Sequence, residues 1–151
     1  MQRVFVLDAK GEPLMPCRPT RARRLLKAGR AAVFKRYPFT IVLKAREGGE
    51  TQGTQLKIDP GARTTGLALV ADFKRGKRVV WAAELSHRGQ AIKQALEKRR
   101  ASRRSRRARH TRYRPARFNN RRRPESWLPP SLRSRVENVL TWVKRLGKAT
   151  P

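Results

Sequence analysis

One stretch of the sequence is dominated by arginine, a residue whose chemistry suits phosphate binding. Residues 98–123 contain 14 Lys and Arg residues and no Asp or Glu. A guanidinium can fork onto phosphate oxygens and stack on a base, whereas an ammonium acts as a point charge. We therefore predict nucleic-acid contacts for the arginines of this stretch: Arg99, Arg100, Arg103, Arg104, Arg106, Arg107, Arg109, Arg112, Arg114, Arg117, Arg121, Arg122 and Arg123.

Aromatic residues accompany these arginines. Tyr113 and Phe118 lie inside the stretch and are candidates for stacking on unpaired bases. Trp127 follows it and suits either stacking or a place in the core. A block of like charges is also typical of a solvated tail. Arginine pairs that recur every three to four residues, with structured segments on both sides, favour a helix that binds RNA.

Asp59 is the second residue whose setting indicates chemistry. The pattern Ile58-Asp59-Pro60-Gly61 places a carboxylate where a strand runs into a turn, and glycines at 61 and 66 permit close backbone approach. Such a carboxylate is a suitable ligand for a hard divalent cation. A two-metal phosphodiester site needs several carboxylates, which one Asp cannot supply.

The remaining acidic residues near Asp59 have weaker settings. Asp8, Asp72 and Glu84 are the nearby candidates, and we interpret all three as surface residues. The chain thus offers one well-placed carboxylate for a metal.

Histidine and cysteine are scarce. His110 lies among the arginines and is expected on the same phosphate-facing surface, while His87 is interpreted as a connector between a strand and a helix. Cys17 is the single cysteine and is expected to be a small, inert thiol. These three residues exclude a disulfide framework within the chain and a zinc finger of the Cys/His type.

Composition limits the function classes. The 151 residues include 39 Lys and Arg against 10 Asp and Glu, a formal net charge of +29. A charge of this size needs a polyanion to neutralise it, which disfavours an enzyme for small neutral metabolites. No apolar run approaches a membrane span, and the first residues lack the pattern of a secretory signal. We therefore expect no membrane partner and, by default, a cytoplasmic location.

The first third of the chain must form a small mixed domain. We expect strands at Val4–Leu7, Ala31–Phe34 and Phe39–Leu43, an extended piece at Pro13–Pro16, a helix at 21–28 capped by Thr20 and stopped by Gly29, and a linker at 46–54.

The elements that position Asp59 and the arginines follow. Strands at 56–59, 66–70 and 79–83, joined by short turns, predict a three-stranded antiparallel meander. A long helix should start near Ala91 and Ile92, continue to about Tyr113, and become fully ordered only against phosphates. After prolines, Ser131 should cap a final amphipathic helix with one apolar face: Leu132, Val136, Val139, Leu140, Val143 and Leu146. The fold class predicted is α+β.

Three features in this order resemble one known family. The first motif of the RuvC-like nucleases, whose fold is that of ribonuclease H, resembles Leu56-Lys57-Ile58-Asp59-Pro60-Gly61-Ala62-Arg63-Thr64-Thr65-Gly66. The signature of the PLMP domain of the IscB and IsrB proteins resembles Pro13-Leu14-Met15-Pro16. The bridge helix of these transposon-associated, RNA-guided nucleases, thought ancestral to the CRISPR effectors, resembles residues 89–113.

This resemblance implies a domain order and a role for each part. It gives a PLMP domain with linker at 1–54, the first part of an RNase H-like RuvC domain at 55–88, a bridge helix with basic extension at 89–123, and a helix returning to RuvC at 124–151. Asp59 would then be a catalytic ligand of Mg²⁺, and the arginines would hold guide RNA and its heteroduplex with target DNA.

The resemblance also implies that the chain is the N-terminal part of an RNA-guided DNA endonuclease or nickase. Its location would then be prokaryotic, and nucleoid-associated when the protein is bound to DNA. The remainder of the RuvC domain would be its partner, since the family's later acidic motifs are not in this sequence. We expect the chain alone not to cleave DNA. The alternatives are a ribosomal-type structural RNA-binding protein and, less favoured, a self-contained nuclease that uses Asp59 with Glu84 or Asp72.

Overall fold

The computed structural model describes residues 2–109 and 123–151. The chain forms two compact units, the first from residues 1–86 and 139–151 and the second from residues 87–138. The described residues contain two sheets and three helices, which confirms the α+β class. None of the described helices is both long enough and apolar enough to cross a membrane. The domain limits at 54, 88 and 123 stay predictions.

The first unit contains a four-stranded sheet, formed by β1 (Val4–Leu7), β2 (Pro13–Cys17), β3 (Ala31–Lys35) and β4 (Thr40–Leu43). The strand order is β2-β1-β4-β3. Only β1 and β4 run parallel, while β1 pairs with β2, and β3 with β4, in antiparallel fashion. The sheet buries an apolar cluster to which Val4, Val6, Leu14, Ile41 and Leu43 contribute.

Helix α1 (Pro19–Lys27) connects β2 to β3. The prediction that Thr20 caps it is wrong, because Pro19 occupies the first turn and Arg18 the cap position, without a side-chain bond. Proline suits that first turn, since its fixed φ matches the helix and its missing N–H is not needed there. The stop at Gly29 is confirmed: this residue has a φ of +67°, and its N–H donates to the Leu26 carbonyl oxygen at 3.1 Å.

The predicted meander is confirmed, with longer strands than expected. It consists of β5 (Thr54–Asp59), β6 (Thr64–Phe73) and β7 (Gly76–Ser86), all antiparallel and in that order. Side chains on β6 alternate, so that Thr65, Leu67 and Leu69 are buried while Gly66 and Ala68 lie on the other face. The sheet therefore has a core face and an open face.

The last turns of helix α3 (Pro130–Gly147) pack against the core face of this sheet. Leu146 is buried against β6 and β7, and the Trp142 ring stacks on the Trp81 ring with centroids 6.0 Å apart. Phe5 of β1 joins the same cluster, with its ring centroid 6.1 Å from that of Trp81. Both sheets of the first unit thus share one apolar cluster.

Two details of the final helix differ from the prediction. It begins at Pro130, one residue before the predicted Ser131 cap. The predicted apolar face is only partly covered, since Leu132, Val136 and Leu140 are exposed. Trp142 and Leu146, in the last turns of the helix, pack against the sheet.

The second unit contains helix α2 (Gly89–Ala108) and residues 130–138 of α3. Gly89 is buried against Ser131, and a side chain on it would come within 3.2 Å of the Ser131 carbonyl oxygen. Among the predicted anchoring residues, Ile92 is half-buried, but Ala91 is exposed. Arg109 follows the helix in a turn, and the predicted continuation from His110 to Tyr113 lies outside the described residues.

Candidate nucleic-acid interface and carboxylate site

Six of the predicted arginines lie on α2, and all six are exposed. At about 100° per residue, they fall within an arc of about 160°, whereas the small residues Ala101, Ser102, Ser105 and Ala108 occupy the opposite side. We call this set the arginine face: Arg99, Arg100, Arg103, Arg104, Arg106 and Arg107. The helix therefore has two chemically distinct sides.

The arginine face has no carboxylate partner in the described part of the chain. The one acidic residue of α2 is Glu97, which pairs with Lys93 one turn earlier at 4.0 Å. Six guanidinium groups on a rod about 30 Å long are thus free to bind anions. Regularly spaced phosphates are the anions that such a rod matches.

Several predicted contacts fall beyond what the structure describes. Outside the described residues lie Arg112, Arg114, Arg117, Arg121, Arg122, Tyr113, Phe118 and His110. Arg109 is exposed directly after α2. The Arg123 guanidinium lies 3.9 Å from the centre of the Trp127 ring. A guanidinium stacked in this way keeps its N–H groups available at the edges.

Asp59 lies at the end of β5, exposed, as predicted. No described residue forms a hydrogen bond or ion pair with its carboxylate. The turn that follows needs glycine at 61, because a side chain there would collide with the Thr64 carbonyl oxygen. The tight turn brings β6 back beside Asp59, directly opposite Gly66.

Sheet register also brings Glu84 into this neighbourhood. Gly66 pairs with Asp59 on one side and with Glu84 on the other, so the two acids lie in one row, about 10 Å apart across two strand spacings. They border an open depression of about 510 Å³ with Gly66 and Ala68 in its floor. A side chain at 66 would extend to within 3.5 Å of the Asp59 Cβ, so glycine keeps the space between the acids open.

Glu84 is exposed, as predicted, but its alignment with Asp59 was not anticipated. Strand register supplies that relation, and only the cross-strand pairing fixes register. Asp72 lies at the far end of β6 and pairs loosely with Lys77 at 4.0 Å. It is a surface residue, as predicted, and is not part of the carboxylate row.

Asp8 corrects a prediction. It is 2% exposed rather than on the surface. Its Oδ1 accepts the N–H groups of Lys10 and Glu12 at 2.9 and 2.8 Å, and its Oδ2 accepts that of Gly48 at 2.9 Å. The Gly48 bond, with those of Glu12 and Lys10, lowers the Asp8 pKa against the opposing effect of burial. Asp8 holds three backbone segments together, and an Asp ahead of a turn is the sequence signal for this role.

His87 lies between a strand and a helix, as predicted, and Cys17 is half-buried. His87 connects β7 to α2, and burial, together with the nearby Arg135 cation, lowers its pKa. Cys17 ends β2 half-buried beside the first apolar cluster, and burial raises the pKa of its thiol. Within the described ranges, no three His, Cys, Asp or Glu side chains converge in an arrangement that could hold a metal ion.

Comparison with known proteins identifies the family of this chain. No curated protein matches the chain significantly. The pattern spelled by the family name RRXRR occurs on α2 as Arg103-Arg104-Ser105-Arg106-Arg107, within the arginine face. The model of that family matches residues 4–151. The chain belongs to the RRXRR protein family.

Proposed function

We propose that this chain is the N-terminal part of an RNA-guided DNA endonuclease or nickase of the IscB and IsrB type. Its task is to hold guide RNA, and the heteroduplex of that RNA with target DNA, by the phosphate backbone. In such nucleases base pairing reads the sequence, while the protein binds backbone and shape. The arginine face of α2 is the single observation that carries the proposal.

The physical support for the proposal is that the arginine face combines positive charge with exposure to solvent. The side chains of the arginine face are exposed, and the described carboxylates leave them unpaired. Ordered phosphates would relieve the repulsion among like charges one turn apart, which otherwise opposes the helix. The resemblance to a bridge helix gives this rod its proposed ligand, an RNA strand.

The open sheet is proposed to be the first part of a RuvC domain with the ribonuclease H fold, preceded by a PLMP domain. Asp59 would be its first Mg²⁺ ligand: it is exposed at a strand end, with an open depression beside it and no described partner for its carboxylate. A Mg²⁺ ion held there would supply Lewis-acid chemistry for a phosphodiester and for a bound water. Asp59 and Glu84 alone do not make a complete two-metal set, so we expect no cleavage by this chain without the rest of the domain.

RNA binding is tested first by its dependence on salt. If about eight phosphates of a single strand are contacted, log K falls against log salt with a slope of about −6. Fluorescence anisotropy with a labelled single-stranded RNA at several salt concentrations measures that slope. A slope near zero contradicts phosphate binding.

Sequencing of the RNA that co-purifies with the chain separates the two candidate functions. One dedicated, structured RNA supports the guide-RNA proposal. Enrichment of ribosomal RNA supports the alternative, a ribosomal-type structural protein, which the size and the charge of +29 also suit. The exposed Asp59 at a strand end favours the nuclease, since a structural protein has no need for it.

The carboxylate is tested by metal binding and by cleavage. Mn²⁺ should broaden the NMR amide signal of Gly66 in the wild-type protein. It should do so much less in the Asp59→Asn variant, with Asp72→Asn as a matched control that behaves like the wild type. A Mg²⁺-dependent nicking activity of the purified 151-residue chain, abolished by Asp59→Ala, would refute the expected inactivity.

A further inference from the structure

The hairpin formed by β3 and β4 exposes three aromatic rings at its tip. Phe34 is 63% exposed and Tyr37 is 74% exposed, and Phe39 is exposed as well. Large aromatic side chains are usually buried, because each removes a large apolar area from water. Three exposed rings within six residues therefore mark an interaction surface.

The hairpin backbone turns these rings outward. The pairing of β3 with β4 advances two residues on one strand for one on the other between Val33 and Lys35, so Phe34 is the extra residue of a bulge. A bulge changes the direction in which its residue projects. Ring exposure at Phe34 is thus a product of the strand pairing.

The turn that carries Tyr37 and Phe39 is held in place. Thr40 is buried, and its hydroxyl donates to the Pro38 carbonyl oxygen at 2.9 Å. The Phe39 carbonyl oxygen accepts the Phe5 N–H at 3.1 Å. A fixed turn presents its rings without a further ordering cost on binding, which favours affinity.

The segment that contains the rings is strongly positive. Residues 18–46 contain ten Lys and Arg residues and no Asp or Glu, and all ten are exposed. Two of them, Lys35 and Arg36, lie between the first two rings. None of the ten forms an ion pair with the carboxylates that the structure describes.

We infer that this hairpin tip binds an unpaired segment of RNA, with bases on the rings and phosphates on the adjacent cations Lys35 and Arg36. Every base offers a face for stacking, and a ring beside cations satisfies base and phosphate together. An apolar protein partner would not account for ten cations without an acid. The inference rests on the proposed function and adds to it a binding surface in the first unit, distinct from α2.

The test compares single-stranded and duplex RNA. The full chain carrying Phe34→Ala and Tyr37→Ala should bind a twelve-residue oligouridine about tenfold more weakly, or worse, than the wild type does. Its affinity for a blunt twelve-pair RNA duplex should change less than about twofold, because duplex bases stack on each other and offer no free face. A circular dichroism melt confirms that the variant folds.

Matched variants separate stacking from apolar contact. Val33→Ala removes an exposed aliphatic side chain next to Phe34, and Tyr37→Phe keeps the ring, so both should bind oligouridine as the wild type does. Cross-linking of 5-iodouridine RNA should map to the peptide that contains Phe34 and Tyr37. An equal loss for oligouridine and duplex, or a loss in Val33→Ala as large as in the double variant, would overturn the inference.

Three further outcomes are decisive. A preference above about tenfold for oligothymidine over oligouridine would assign the surface to DNA and contradict the inference. If the wild-type chain binds neither RNA, the proposed function itself fails. If it binds both, and only variants in the arginine face weaken binding, the hairpin inference fails alone.

Discussion

The first unit and helix α2 differ in how many of their side chains are buried. The first unit is built by burial: two sheets and the end of α3 share an apolar cluster that includes Phe5, Trp81 and Leu146. Beyond Ile92, α2 is exposed along its remaining length and buries no apolar face. The first unit therefore contains its own stabilising interactions, while the arginines of α2 have no carboxylate partner among the described residues.

This difference separates structural residues from functional ones. In the first unit, a residue is explained once its packing or hydrogen bonds are known, as for Asp8. On α2, the arginines have no such explanation within the described chain. Residues that the fold does not use, in either region, are the better candidates for binding.

The largest effect is expected when a buried side chain of the first unit is removed. Trp81→Ala should lower the free energy of unfolding by about 3–5 kcal/mol, because the indole packs between Phe5 and Trp142 and leaves a cavity. Urea denaturation followed by fluorescence and circular dichroism measures the change. Val79→Ala, an exposed position on the same strand, is the control and should cost little. Equal losses would contradict the assigned core.

The next largest effect is expected when positive charges are removed from α2. Changing Arg103, Arg104, Arg106 and Arg107 together to Gln should weaken binding to single-stranded RNA about 100-fold near 0.15 M salt and reduce the salt slope by about 3, because four phosphate contacts disappear. Thermal melting of the chain should change little.

A control with the same change in net charge decides whether the arrangement on α2 matters. Lys74, Arg75, Lys77 and Arg78 form a cluster of four exposed cations on the β6–β7 hairpin. Their replacement by Gln should weaken RNA binding much less. A loss as large as that of the α2 variant would mean that overall charge, rather than the arginine face, determines affinity.

A smaller effect is expected at Asp8, whose carboxylate accepts hydrogen bonds that stabilise the first unit. Because hydrogen bonds lower the pKa of Asp8 in the folded state, its ionised form stabilises the fold above the ordinary carboxyl pKa. That contribution disappears as pH falls through the lowered folded-state pKa, below about 4. Asp8→Asn should lower the melting temperature at pH 7 and flatten its dependence on pH in this acid range. A melting curve with unchanged acid dependence would contradict the role.

The smallest expected effect makes the same chemical change at Asp59. Asp59→Asn should alter the free energy of unfolding by less than about 0.5 kcal/mol, since the carboxylate is exposed and no described residue binds it. Thermal or urea unfolding beside Asp8→Asn measures the contrast. A destabilisation as large as that of Asp8→Asn would show that Asp59 has a structural role.

Local patterns in the sequence were enough to predict most elements. Short apolar runs bounded by turn residues predicted β1 and the three-stranded meander, Gly29 predicted the end of α1, and arginine spacing predicted α2. These features depend on neighbours in the chain, so propensity and periodicity carry them. Helix starts were less certain: Pro19 and Pro130 begin α1 and α3, where Thr20 and Ser131 were expected to cap.

What the sequence by itself determined is the chemistry of the chain: an excess of cations, a helix of exposed arginines, and a carboxylate at a strand end beside a tight turn. Tertiary structure alone decided which charges are used. The backbone N–H of Gly48, distant in sequence, donates a hydrogen bond to the buried Asp8 carboxylate. Strand register aligns Glu84 with Asp59, and a bulge in the strand pairing exposes Phe34. Each of these three features depends on contacts between segments distant in sequence or on the offset between paired strands. Such relations produce no local pattern in the sequence.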